Sequence, residues 1–146
     1  MKPLQIRRTA RLIVVDQKGD ILLVRYDDGF EGPASYWVPP GGGLEPGEEP
    51  RAAAARELRE ETGLVAEIGR ELWTCESEFE TSSGPVRQAE TFYWVALEIM
   101  APVVINRSAE PIREHRWWRL DELLATAETI YPLGCRERLR LVFDRC

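Results

Sequence analysis

One histidine, His115, stands among 146 residues, and the three cysteines, Cys75, Cys135 and Cys146, are widely spaced with no Cys-x-x-Cys pair. That scarcity excludes the usual nitrogen and sulfur cages for zinc, and an odd, scattered cysteine set gives no disulfide framework. No apolar run reaches the roughly 18 residues that a membrane-spanning helix needs. Met1-Lys2-Pro3 leads toward a strand with no signal-peptide core. Positive charge is short as well. The 19 Lys and Arg stand against 25 Asp and Glu, and the net charge of −6 argues against an extended nucleic-acid surface. Repeats, low-complexity tracts and an interdomain linker are also missing. These absences predict a soluble, cytoplasmic chain with one domain over residues 1–146 and a single core. A polyanionic ligand must then be drawn in by local groups.

What the chain concentrates is glutamate. At about 100° per residue around a helix axis, Glu60 falls near −60° and Glu61 near +40° from Glu57. The three carboxylates therefore share an arc of about 100°. Ala54, Ala55, Leu58 and Thr62 form an adjoining apolar stripe that can pack on a core. Like charges at i,i+4 destabilise an isolated helix by a few tenths of a kcal/mol, so the arrangement asks for a cation. Clustered carboxylates supply hard oxygen ligands suited to Mg²⁺ or Mn²⁺. A solvated acidic face explains E-x-x-E-E when it stands alone. Here Glu48, Arg56, Gly63 and a glycine loop accompany it at fixed offsets.

The flanking residues present that helix. Pro39, Pro40 and the run Gly41, Gly42, Gly43 predict irregular backbone, with glycine carbonyls free to approach a ligand. Pro46-Gly47 marks a turn, Glu48-Glu49-Pro50 a helix start, and Gly63 a left-handed stop. The helix is predicted over about residues 49–62. Arg56 lies about 100° from Glu57, where it can pair with Glu48 or with a ligand carboxylate.

Elsewhere the pattern is of strands. Residues 9–15 and 21–26 read as a hairpin about 16–20, and 67–80 and 90–99 as a second pair about 81–85. Residues 91–97 are apolar on both faces, as in a covered strand. Residues 113–120 give another strand, Asp121 is expected to cap a helix through about Ala127, and 135–144 reads as an amphipathic helix. Strands with helices on both sides predict an α/β fold.

Residues 42–64 fit G-x5-E-x7-R-E-U-x-E-E-x-G-U at every specified position, where U is a bulky aliphatic. This resembles the signature of the Nudix hydrolases. The resemblance implies a Nudix-type α/β/α sandwich around a mixed β-sheet. It also implies attack by water on a phosphorus of a P–O–P linkage, assisted by Mg²⁺, with Mn²⁺ able to substitute. The implied substrate is a nucleoside diphosphate linked to another moiety: a nucleoside triphosphate, oxidised ones included, or a nucleoside diphosphate sugar. Carried onto matching positions, Glu57 and Glu61 are the chief metal ligands, Glu60 is a third, and the carbonyl of Gly41 or Gly42 adds an oxygen. Glu48 and Arg56 would fix the loop and orient those carboxylates.

The general base is sought in Glu110, Glu114, Glu78 and Glu80, with Glu114 as first choice; His115 reads as structural. Phe30, Tyr36, Trp37, Trp73 and Phe79 are candidates for stacking a base, and Arg7, Arg25 and Arg87 for phosphate. No substrate-binding residue is assigned. The added motifs of relatives that cleave ADP-ribose, RNA caps or diadenosine polyphosphates are not found. The alternative is a non-catalytic nucleotide-sensing module, for which a degraded box is expected. An isopentenyl diphosphate isomerase-like reaction needs more histidines than this chain has. The expected partners are a small-molecule nucleotide and a second copy in a homodimer, with no membrane and no extended nucleic acid.

Overall fold

The computed structural model describes residues 2–27 and 34–144. Ten elements follow one another: β1 (Gln5–Val15), β2 (Ile21–Tyr26), β3 (Tyr36–Val38), β4 (Gly41–Gly43), α1 (Pro50–Thr62), β5 (Glu71–Thr81), β6 (Gly84–Ala96), β7 (Glu114–Trp118), α2 (Leu120–Ala125) and α3 (Cys135–Asp144). The sheet runs β3-β2-β1-β6-β5, with β4 joined to β1 and β7 to β2. It is mixed: β1 and β6 run parallel from Gln5↔Val86 to Val15↔Ala96, whereas the other pairings of named strands are antiparallel.

Strand alternation divides the core into two layers. Even-numbered residues of β1, such as Leu12 and Val14, pack with Tyr93 and Val95 against Ala53, Ala54 and Leu58 of α1. Odd-numbered Ile13 and Val15 pack with Phe92 and Trp118 against Leu123 of α2 and Leu139 of α3. Helices thus cover both faces, as the α/β sandwich reading anticipates, and residues 91–97 lie largely in the doubly covered β6. Among the described residues no helix is long and apolar enough to cross a membrane.

Three local expectations are corrected. The glycine run is not irregular: Gly41–Gly43 pairs antiparallel with Thr9–Arg11 of β1. A Cβ on Gly41 would lie 2.1 Å from the Ala10 carbonyl oxygen, so glycine at φ 150° lets this edge close onto β1. Asp121 does not cap α2. That place belongs to Arg119, at φ −70° and ψ 146°, and Asp121 lies in the first turn. The second strand pair is displaced. Residues 67–70 precede β5, and β6 starts at Gly84, whose φ of 116° closes a tight turn. Phe30 lies outside the described residues.

Candidate active site

Pro50 opens α1 and Gly63, at φ 73°, closes it. A helix leaves its last four carbonyls without intrahelical partners. Here each of the last four carbonyls of α1 is taken. Gly63 N–H donates to Arg59 O at 2.9 Å, Arg107 N–H to Glu60 O at 2.6 Å, and Ile105 N–H to Thr62 O at 2.9 Å. His115 Nε2 lies 3.2 Å from Glu61 O, at donor distance for the Nε2–H tautomer. The glutamate-bearing turn is thereby fastened to β7 and to the segment that carries Glu110. In that segment, Glu110 N–H donates to Ser108 Oγ at 3.1 Å and Asn106 Nδ2 donates to Glu110 O at 2.9 Å.

Arg56 uses all five of its N–H donors. Nε and Nη2 grip the two oxygens of Glu48 at 2.9 and 2.8 Å, and Nη2 also donates to Gly43 O at 2.9 Å. Nη1 donates to Glu57 Oε1 at 2.9 Å and Glu60 Oε2 at 3.2 Å. The guanidinium, with the Glu45 N–H behind it, holds the Glu48 carboxyl down at about 2. One arginine therefore joins the glycine loop, Glu48 and two helix carboxylates. Arg56→Lys is expected to weaken Mn²⁺ activation or turnover by about 10- to 100-fold, because a point-like ammonium cannot serve five acceptors. A Mn²⁺ activation titration reads this directly, and an unchanged curve would remove Arg56 from the site's geometry.

Glu57 is 7% exposed and Glu61 1% exposed. Burial raises the pKa of Glu57, and the Glu60 charge adds to it, against the pull of Arg56. Burial pushes Glu61 up to about 7, with the charges of Glu57 and Glu110 adding; the Gly41 N–H and the Arg11 guanidinium oppose the rise. Gly41 N–H donates to Glu61 Oε1 at 3.1 Å. A Cβ on Gly42 would fall 2.7 Å from Glu57 Oε1, so only a glycine backbone leaves room for that carboxylate. The pair is costly to ionise without a cation.

The donor set fits a hard divalent ion. Two buried carboxylates, a half-exposed third and glycine carbonyls are oxygen ligands only. Among the described residues, no three His, Cys, Asp or Glu side chains already form a cage. Glu57 Oε1 and Glu60 Oε2 accept from the Arg56 guanidinium.

The other candidates separate. Glu110 lies close enough to influence Glu61 and Tyr26 electrostatically. Glu114 does not join that group: alternation along β7 turns it to the face opposite His115, where Arg25 Nε is 3.4 Å away. Glu78 pairs with Arg87 at 2.8 Å on the edge strand β5, as its neighbour Glu80 is also placed. Trp37 donates its indole N–H to Glu128 at 3.0 Å and Trp73 stacks on Phe92 at 4.4 Å, so both serve the core. Tyr36 stacks on Tyr26 at 5.7 Å, and Phe79 is 40% exposed. Arg25 is held between Glu114 and Asp27. The Arg7 side chain has no ion pair or hydrogen bond among the described residues.

Two features escaped the sequence reading. The fastening of α1 by residues 105–107 and His115 left no local signal. The buried pair Arg11–Glu90, at 2.9 Å, did leave one: each is a lone charge beside an apolar run in neighbouring strands.

Comparison with known proteins bears on the family and the fold. The chain is 30% identical over 131 residues to "Diphosphoinositol polyphosphate phosphohydrolase 2" of Rattus norvegicus, covering 86% of this chain and 65% of that relative's length. Among solved structures, the dihydroneopterin triphosphate pyrophosphohydrolase of E. coli superposes with a TM-score of 0.75 at 17% identity, covering 95% and 96% of the two chains. The MutT protein of Methanosarcina mazei Go1 gives 0.68 at 24% identity, covering 97% and 94%. Both likenesses concern the fold. The NUDIX domain family model matches residues 5–133, nearly the whole chain, and the protein belongs to the NUDIX domain family.

Proposed function

We propose that this chain hydrolyses a pyrophosphate linkage, using Glu57 and Glu61 as the chief ligands of Mg²⁺ or Mn²⁺, Glu60 as a third and the Gly42 carbonyl as a further oxygen. The observation that carries this is the buried, mutually repelling pair Glu57 and Glu61, held against glycine backbone and served by Arg56. Bound there, the ion would neutralise charge on phosphate oxygens and supply Lewis-acid assistance. Arg56 and Glu48 keep the loop and the carboxylates oriented. The general base takes a proton from water as its oxygen attacks phosphorus; the bridging P–O bond breaks, and the leaving phosphate carries the displaced charge. Glu110 suits that role better than Glu114, because it lies on the Glu61 side and its loop is bonded to the end of α1.

For the substrate, a nucleoside triphosphate or nucleoside diphosphate sugar remains the first reading. A second reading, a diphosphorylated inositol polyphosphate, draws on the name of the 30% identical relative. It also draws on a groove of about 450 Å³ lined by Arg7, Arg8, Gly43 and Leu44 beside the glycine loop. Arg7 and Arg8 are exposed there with no carboxylate partner among the described residues, which favours a ligand rich in phosphate. A panel of nucleoside triphosphates, 8-oxo forms, nucleoside diphosphate sugars and diphosphoinositol polyphosphates, each with Mg²⁺ or Mn²⁺, tests both readings. Products of P–O–P cleavage are expected, and Arg7→Ala/Arg8→Ala should raise KM by about 10-fold or more for a polyphosphorylated ring. Tight nucleotide binding with no product under either ion would instead establish a sensing module.

A further inference from the structure

Arg11 is the one charged residue in the run from Thr9 to Val15, and Glu90, 4% exposed, faces it from the neighbouring strand β6. Glu90 Oε1 accepts from Arg11 Nε at 2.9 Å and from Thr9 Oγ1 at 3.0 Å, and Cys75 Sγ lies 4.0 Å from Oε2. A buried ion pair is a weak means of stabilising a fold, because desolvation consumes most of its attraction. Its geometry here has another consequence. Arg11 Nη1 donates to Pro39 O at 3.2 Å and to Gly41 O at 3.3 Å, and the Leu12 N–H donates to Pro40 O at 2.8 Å. Three successive carbonyls of the glycine loop are thus held by β1. The peptide between Pro40 and Gly41 is the middle one. Its oxygen is bound by Leu12, its flanking carbonyls by Arg11, and its N–H is the group that holds Glu61 Oε1.

We propose that Arg11 and Glu90 are a positioning pair, which orients the Gly41 N–H and through it aims Glu61 for cation binding from the sheet face opposite α1. This rests on the metal reading of Glu57, Glu60 and Glu61. Glu90, itself held by the Thr9 hydroxyl, fixes the guanidinium; the guanidinium fixes the loop, and the loop holds Glu61 by its Oε1. The Arg11 charge also acts on Glu61 through space, but neither member of the pair is among the carboxylates assigned to the ion. Loss of the pair leaves the Leu12 bond to Pro40 O in place but releases the flanking Pro39 and Gly41 carbonyls, which loosens the peptide whose N–H orients Glu61.

The decisive variant is the double substitution Arg11→Met/Glu90→Gln, which removes both charges and leaves no buried ion uncompensated. Its metal-free melting temperature should stay within about 4 °C of the parent. Mn²⁺ binding, read by electron paramagnetic resonance of the free ion, should weaken by about 10- to 100-fold. With saturating substrate, kcat should fall while KM moves little. Arg11→Lys, which keeps the charge opposite Glu90 but cannot span both carbonyls, should show the same weakening to a smaller degree and decides the matter if the double variant does not fold. Mn²⁺ affinity and kcat equal to those of the parent in a folded variant would overturn the proposal and leave the pair a packing feature. Failure of the parent itself to bind Mn²⁺ would overturn the metal reading, and this proposal with it.

Discussion

Glu61→Gln is expected to lower kcat by about 10³-fold or more while the protein stays folded. The side chain is 1% exposed, and the amide occupies the same space while still accepting the Gly41 N–H. What is lost is the charge. Burial pushes the Glu61 pKa up to about 7, so the neutral isostere also relieves a cost of ionisation, and the metal-free variant should melt no lower than the parent. Glu57→Gln should behave similarly, since Arg56 Nη1 can still donate to the amide oxygen. The Glu60 side chain is 41% exposed and shares its contact with Arg56, so its loss should cost less. Steady-state rates with melting curves check all three. Near-parental turnover in either of the first two variants would remove the assignment of the chief ligands.

The second large effect is on stability. A carboxyl whose folded pKa is raised favours the folded state while protonated, and that contribution is lost as pH rises from its ordinary value to its folded value. For Glu61 the window runs from 4.5 to about 7. A shift of that size corresponds to a contribution on the order of 3 kcal/mol. Glu57 shifts in the same direction. Two groups act otherwise. Glu48, lowered to about 2, affects stability only below the ordinary carboxylate range. His115, lowered mainly by burial, makes the fold more stable as pH rises toward its ordinary 6.5. Glu61→Gln isolates the first effect: the metal-free parent should lose melting temperature between pH 5 and pH 7 relative to the variant. Saturation with Mn²⁺ at about 100 times its Kd should restore about 2.7 kcal/mol, or roughly 5–10 °C. Parallel melting curves of parent and variant across this range, with no shift on adding Mn²⁺ or Mg²⁺, would contradict the account.

Much of the site was legible because its signals are local. The offsets from Glu48 through Arg56 to Gly63 define one loop and one helix, and i, i+3, i+4 spacing fixes which side chains share a face. Helix α3 was equally legible from its alternation of Arg with Leu139, Val142 and Phe143. The rest depends on pairing across the chain. No local pattern shows that Gly41–Gly43 will add to Thr9–Arg11, or that Arg107 will close a helix ending at Thr62. The choice between Glu110 and Glu114 turned on the register of β7, since a shift of one residue exchanges the faces of Glu114 and His115. Arg11 and Glu90 were visible as odd charges, but their partnership needed the parallel register that sets Thr9 beside Glu90.

The most direct test follows one sample by ³¹P NMR with the best substrate of the panel. The spectrum is recorded first after exhaustive EDTA treatment, then with excess Mg²⁺, and again after renewed chelation. The account predicts no loss of the P–O–P resonances in EDTA, prompt cleavage on adding the ion, arrest on chelation, and cleavage slowed by about 10³-fold or more in a parallel Glu61→Gln sample. Cleavage that continues in EDTA, or that proceeds at the parental rate without the Glu61 carboxylate, would contradict it.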